Sequence, residues 1–235
     1  MYANFKELED AVINWTDRED IRPYAKDFIR LVTMKAARQL RVPTMERTQV
    51  VNLYADGSAQ VPTDLVELIS MDFLVTKSKD DSSGDEEILR RHSLKMSSIY
   101  EYKDSVDKYL ESGIPSIPEK FAREGSMFKL FPMPSYSEDL VNGYTGSLDI
   151  VGVVEVHYYA LPNTFNLDTD TNWLLQVAPE VYLYGALAHA YEFVRDYETA
   201  AFWNARMENS ISEVQAWSIR ADEMGGLWEV PLGRF

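Results

Sequence analysis

The sequence predicts an α+β protein: a discontinuous helical bundle drawn from both chain ends, an inserted antiparallel β-rich domain (barrel or platform), and an extended C-terminal tail. Three observations predict it. Apolar residues recur at helical spacing near both ends of the 235-residue chain. They alternate at period two from Leu148 to Ala160. The apolar stripes of the two ends are too wide for either end to fold alone, so the economical solution packs them together around an inserted domain. The expected division is 1–44 with 165–224 as the helical bundle, 45–164 as the β-rich domain, and 225–235 as the tail.

In chain order, Phe5, Leu8, Val12 and Trp15 mark a first helix, broken by Asp17-Arg18-Glu19-Asp20. Pro23 suits the first turn of a second helix, whose stripe is Tyr24, Phe28, Leu31, Val32, Ala36 and Leu40. Pro43 stops it, and Arg38 and Arg41 suit its negative end. Val51 and Leu53 alternate with Val50, Asn52 and Tyr54, Asp56-Gly57 supplies a hairpin turn, and a strand returns through Ala59 and Val61. Leu65 to Val75 reads as strand, and Lys77 to Glu87 as a solvated loop, since it has no apolar residue. Ser93 is the expected cap of a helix with Ile99, Tyr102, Val106 and Tyr109 on one face, stopped by Gly113. Phe128 to Phe131 is strand, cut off by Pro132 and Pro134. The Leu148–Ala160 strand buries its even positions.

Helix resumes with Asp170 or Thr171 as its cap. Trp173 to Val194 is almost uniformly apolar, which calls for burial against several neighbours, and Pro179 starts a new helix or kinks this one. Tyr197 to Glu223 is a long polar-faced helix with Ala201, Ala205, Ile211, Val214 and Ala221 as packing positions. Gly225-Gly226 ends it.

Composition narrows the function. Asp plus Glu number 38 and Lys plus Arg 23, a net charge of −15. That balance opposes gripping nucleic acid or anionic lipid through overall charge. The chain has no cysteine, which excludes disulfides, Cys-ligated zinc, iron–sulfur clusters and thiol nucleophiles. No apolar run reaches the ~18 residues of a membrane helix, and the acidic, amphipathic N-terminus does not read as a signal peptide. The expectation is a soluble protein made inside the cell, without a membrane partner.

Chemistry is sparse. His92, His157 and His189 have no second ligand at metal-binding spacing, and neither a nucleophile elbow, a phosphate-binding loop nor a dinucleotide fingerprint is present. No cofactor and no metal are expected. His189, on the apolar helix, reads as a core histidine bonded to a carbonyl or nearby carboxylate; the other reading is a general base. Arg90-Arg91-His92 is the densest basic spot and too small for a nucleic-acid site. The tail presents Leu227, Trp228, Val230, Leu232 and Phe235, with Pro231 blocking helix. Such a segment is a liability when free, so its expected use is to order on a partner; the other reading is that it folds back on its own helices.

The stretch 171–214 is the most specific. It runs Thr171-Asn172-Trp173-Leu174-Leu175, Ala178-Pro179-Glu180, Tyr182-Leu183-Tyr184-Gly185-Ala186-Leu187, Asp196, and Ala201-Phe202-Trp203. This resembles the C-terminal helical signature of the head-to-tail adaptor (connector) proteins of short-tailed bacteriophages, the tail tubular protein A-like group. Ala37 to Val42, Val61-Pro62-Thr63-Asp64-Leu65, Phe131 to Ser135 and Val154 to Ala160 follow in the same order and kind.

The resemblance implies a structural virion protein at the head-to-tail interface, made in the host cytoplasm, and not an enzyme. Its partners would be eleven further copies of itself in a dodecameric ring, the portal protein and the tail nozzle protein. Double-stranded DNA would pass through the channel without specific binding. The tail residues Leu227, Trp228, Val230, Leu232 and Phe235 would then meet the portal or a neighbouring subunit. Glu198, Glu208, Glu213, Asp222 and Glu223 on the long helix are the expected channel lining, since an acidic lumen repels phosphate. The other readings are a different tail-completion or nozzle subunit, or an enzyme of unrecognised type built around His189.

Overall fold

The computed structural model describes residues 2–54, 56–78, 86–112, 117–132 and 150–223. The centre of the expected acidic loop, the Gly113 stop, Pro134, Leu148 and the whole tail lie outside them. The described residues are a mixture of α and β, with six α-helices and eight strands. They belong to two compact units, one formed by Met1–Met45 with Leu161–Phe235 and the other by Glu46–Ala160.

In the first unit, α1 (Phe5–Thr16) begins at Asn4, whose side chain accepts from Glu7 N. Two further N-terminal amides are satisfied from far along the chain: Phe5 N donates to Asp170 O at 2.9 Å and Lys6 N to Asp168 O at 3.0 Å. The Lys26 ammonium reaches Asp168 Oδ1 at 2.8 Å beside them. α2 (Arg22–Gln39) has Pro23 in its first turn, and Arg41 returns to donate to Ala37 O at 3.1 Å near its C-terminus. Phe28, Ile29, Val32, Ala36 and Ala37 are buried on α2. Tyr24 and Leu31, expected in that stripe, face outward, as does Trp15 of α1.

α4 (Trp173–Val177) is capped by Asn172, not by Asp170 or Thr171. The Asn172 amide is buried and fully used. Its Oδ1 accepts from Leu175 N at 3.0 Å, and its Nδ2 donates to Asn163 O at 3.0 Å and to the Tyr182 hydroxyl at 2.9 Å. Asp170 is spent instead on its own loop, its carboxylate accepting from Asn166 N and Leu167 N, which hold it below the usual carboxylate range.

Pro179 opens α5 (Pro179–Phe193), on which Val181, Tyr182, Leu183, Gly185, Ala186, Leu187, Ala188 and Ala190 are buried. α2 and α6 (Tyr197–Glu223) both pack on it. Gly185 marks the closest approach: a Cβ there would stand 2.5 Å from Val32 Cγ2 and 2.7 Å from Met207 Sδ. The packing face of α6 is Ala200, Met207, Ile211 and Val214 with Ser210 and Ser218. Ala201 and Ala205, expected on it, are exposed. Ile211 and Val214 are buried as expected, whereas nearer the start of the helix Ala200 and Met207 take the packing positions, Met207 lying against Gly185; the side chain of Ala221 lies outside the described ones.

The second unit is built on β1 (Glu46–Tyr54), β2 (Ser58–Gln60), β3 (Leu65–Ser78), β4 (Glu86–Ser93), β5 (Lys95–Met96), β6 (Lys120–Glu124), β7 (Met127–Phe131) and β8 (Ile150–Ala160), with α3 (Ile99–Ser112) between β5 and β6. The strand order is β4-β3-β8-β1-β2-β7-β6-β5. Its two outermost strands are one continuous run. Around Leu94, the backbone donates to Met71 O of β3 at 2.9 Å, and one residue later Lys95 N donates to Glu119 O, just before β6, at 2.9 Å. The run 86–96 therefore joins both edges, and the sheet closes into a nearly complete barrel.

Ser93 belongs to this run and does not cap α3; Ser98 does, its Oγ accepting from Glu101 N at 3.2 Å. Leu94 has to enter the barrel core, so the chain stays extended past Ser93. The sheet also departs from the all-antiparallel expectation, since β5 pairs β6 in parallel. Gly57 at φ 73° makes the β1–β2 turn, as Asp56-Gly57 implied.

The barrel interior holds Leu53, Met71, Phe73, Phe121, Phe128, Leu130, Val154, Val156 and Tyr158. The even positions of β8 are those that point inward, and Gly152 leaves room for the Phe73 ring. Near Ala160 the filling turns polar. The Tyr158 hydroxyl donates to Asp64 Oδ1 at 2.8 Å and lies 3.1 Å from Gln49 Oε1, while Arg47 donates to Asp64 Oδ2 at 2.7 Å.

Two substitutions test this packing. Gly185→Ala overfills the junction of three helices and should cost about 1–3 kcal/mol. Asn172→Ala removes a helix cap and one of the two side-chain partners of the buried Tyr182 hydroxyl, Thr33 being the other, at about 1–3 kcal/mol. Urea denaturation reads both, and a loss below about 0.5 kcal/mol would remove the residue concerned from its assigned role.

Candidate interaction surfaces

The helical unit carries two outward aromatic surfaces. On the first, Trp203 sits among Trp15 (ring centroids 5.6 Å apart, edge-on), Tyr184 (5.5 Å, stacked) and Phe202 (5.1 Å, edge-on). The Arg206 guanidinium lies over them, 4.9 Å from the Phe202 centroid and 5.8 Å from those of Tyr184 and Trp203. Trp15 and Phe202 are each 52% exposed. The sequence explains the arrangement. Phe202, Trp203 and Arg206 fall on successive turns of α6, and Met207, one turn on from Trp203 and packed against Gly185, fixes how far that face is rotated outward. Large aromatics with an arginine are the side chains that anchor protein interfaces.

The second surface lies on α2 and the end of α5. Tyr24 packs at a tilt on Phe193, ring centroids 4.8 Å apart, Phe193 also meets Phe28 at 5.8 Å, and Leu31 lies two turns along α2 from Tyr24. Tyr24, Leu31 and Phe193 are all exposed. Periodicity alone had assigned Tyr24 and Leu31 to the core, because a wide apolar stripe on a helix looks the same whether protein covers part of it or all of it.

The expected lumen residues fall on α6. Glu198 and Glu213 are exposed. Glu208 is engaged within the unit: Lys35 Nζ stands 2.7 Å from its Oε1, and Gln39 donates to its Oε2 at 3.0 Å. Asp222 and Glu223 lie in the last turn of α6, where only the backbone is described.

The histidines divide. His189 is partly exposed, and its Nδ1 is 3.4 Å from Glu192 Oε2, so its carboxylate neighbour comes from one turn along the same helix. It borders an open concavity with Lys35, Glu192, Tyr197 and Asn204. Lys35 there is held by Glu208 and by Asn204 Oδ1 at 2.7 Å. His157 faces Glu46 at 3.4 Å on the outside of the barrel. In the basic spot of β4, Arg91 is paired with Glu155, its Nη2 donating to Oε1 at 3.1 Å. Among the described residues no group of three His, Asp or Glu is placed to hold a metal ion, and no helix is long and apolar enough to cross a membrane.

Two buried phenols are strongly shifted. Burial, with the Asp64 hydrogen bond added, pushes Tyr158 up to about 12. Burial likewise pushes Tyr182 up to about 12. Both start from 10.0, so below pH 10 neither affects stability. Between pH 10 and pH 12 the unfolded chain ionises these phenols and the folded chain does not, so stability falls as pH rises. Alkaline titration followed at 295 nm should show two late tyrosines, one lost in Tyr158→Phe and one in Tyr182→Phe. A titration in which all tyrosines ionise together near pH 10 would contradict the buried geometry.

A search of curated proteins finds no match to the sequence. The description of the SU10 adaptor protein family matches residues 3–230, nearly the whole of it. That span takes in the helices from both chain ends and every strand of the barrel. A match over that span places the sequence plainly: the chain belongs to the SU10 adaptor protein family, a family of phage adaptors.

Proposed function

We propose that this protein is the head-to-tail adaptor of a short-tailed phage. Twelve copies form a ring between the portal protein and the tail nozzle protein, and the ring lengthens the channel through which double-stranded DNA leaves the capsid. The observation that carries this reading is the match to a phage adaptor family over residues 3–230. Charge and surface chemistry support it. Subunits at −15 repel one another, so a ring of them needs concentrated apolar contacts, and the Trp15–Phe202–Arg206 and Tyr24–Phe193 surfaces supply candidates.

The same charge suits a conduit. An acidic lumen lets phosphate slide without adhering, whereas a basic one would bind it. Glu198 and Glu213 lead the proposed lining, with Asp222 and Glu223 at the end of α6. Glu208 contributes less, because Lys35 already neutralises it. The tail residues Leu227, Trp228, Val230, Leu232 and Phe235 act as the arm that engages the portal or the next subunit.

No catalysis is assigned. The polar groups around His189 are matched to one another, Lys35 with Glu208 and Asn204, and His189 with Glu192.

Imaging of the intact tail complex tests the ring, with twelve copies between portal and nozzle as the expected result. A position elsewhere in the virion would overturn it. Within that reading, Glu198→Lys with Glu213→Lys should leave ring assembly intact and slow DNA release several-fold at low salt, with recovery at high salt. Unchanged ejection kinetics at every ionic strength would move the lining to another face.

A further inference from the structure

The first unit contains a shallow, open apolar depression whose walls are Val42, Pro43, Trp173, Val177, Val214 and Trp217. It is formed where the end of the N-terminal helical stretch, the short α4 and the last third of α6 converge. Trp217 is 47% exposed at its rim. None of its wall residues carries a formal charge, so water gains little by staying there, and an apolar side chain gains by entering.

We infer that this depression is the docking site for the C-terminal tail of the same chain in the free protein, with Trp228 laid across it. Three observations single out that occupant. The first is composition. The depression is open and apolar, so it is covered best by apolar side chains, and Leu227-Trp228-Glu229-Val230-Pro231-Leu232 supplies several within six residues. The tail also carries one acid, Glu229, and one base, Arg234, so an otherwise acidic molecule does not repel it.

The second is reach. α6 ends at Glu223, five residues beyond the wall residue Ser218, which is ~7.5 Å of helix. The five residues from Met224 to Trp228 span up to ~17 Å when extended. Gly225-Gly226 allows the reversal that the return path needs, because glycine accepts backbone conformations closed to other residues.

The third is mass action. Trp228 is tethered ten residues from Ser218, and a tether that short places it at an effective concentration in the ~mM range at the depression. Neither a second copy nor another virion protein, at ordinary concentrations, competes with that unless its own site binds the tail much more tightly.

The consequence rests on the reading of the tail as an assembly arm. In the free subunit the arm is covered by its own helices, and only a site that outbids the tethered contact releases it. Free subunits then stay apart until the portal offers such a site. Intramolecular docking thus suppresses premature ring formation with no added component.

The absence of cysteine makes the test clean. Full-length protein carrying Val177→Cys with Leu227→Cys is oxidised at low concentration. The expected product is a monomer with an intrachain disulfide, identified by mass and by non-reducing mobility. Disulfides formed only between chains, or none, would overturn the proposal. A second measurement does not depend on disulfide geometry. In full-length Trp228→Ser, the methyl resonances of Val177 and Val214 should move, having lost the ring current of the indole; unmoved resonances would overturn it as well. Assembly on purified portal rings separates this inference from the arm reading. The oxidised double variant should fail to join and recover with reductant. If it joins equally well while the intrachain disulfide is intact, the docking stands and the arm reading fails.

Discussion

Everything in the helical unit depends on the burial of α5. That helix is apolar around most of its circumference, with solvent left only to its C-terminal turns, so most of it must be enclosed. No single neighbour encloses a helix. The cover comes from α2, whose Val32 meets Gly185, and from α6, whose Met207 meets the same glycine from another side. α1 and its Phe5–Phe165–Tyr182 aromatic contacts complete it. Elements drawn from opposite ends of the sequence are therefore held in one core, and Gly185 sets how near they come. The insertion of the barrel sequence between them follows from that requirement.

Polar groups in this fold are placed with similar economy. Asn172 caps one helix, binds a loop carbonyl and satisfies the Tyr182 hydroxyl. Asp64 does the corresponding work in the barrel, where both its oxygens are taken by Tyr158 and Arg47. Both residues fall in the segments that carry the family resemblance, Thr171-Asn172-Trp173 and Val61-Pro62-Thr63-Asp64. A buried polar side chain with several partners accepts no ordinary replacement, and this gives a physical reason why those segments are the recognisable ones.

Sequence reasoning reached the elements whose signal is local. Val154, Val156, Tyr158 and Ala160 are buried on alternate positions of β8, as period two requires, and Pro179 does open a helix. It missed what depends on distant partners. Ala201 and Ala205 look like packing positions, yet alanine carries little periodic signal, and the face of α6 is set by Met207 meeting Gly185. Ser93 looks like a cap, yet Leu94 is drawn into the barrel and delays the helix to Ser98. The closure of the sheet through 86–96 has no local mark at all. Of the candidate site, the acidic positions of α6 were legible as charges, but the commitment of Glu208 to Lys35 and Gln39 was not, because it joins opposite ends of the sequence, Gln39 lying 169 residues away. The exposed aromatic surfaces were hidden for the opposite reason: an interface side chain and a core side chain are written with the same letters.

The central position of β8 in the barrel has a consequence in time. β8 pairs along its length with β1 and with β3, strands that left the ribosome about a hundred residues earlier. Until Ile150–Ala160 emerges, β1 and β3 have no common partner, and until α5 follows, α1 and α2 have no core to cover. Neither unit can be completed vectorially from the N-terminus, and the loops that must close are long, which slows the search. The nascent chain thus spends most of its synthesis with one edge each of β1 and β3, and the apolar faces of α1 and α2, uncovered. The 38 carboxylate side chains spread along it are what keep neighbouring nascent chains from pairing those edges with one another.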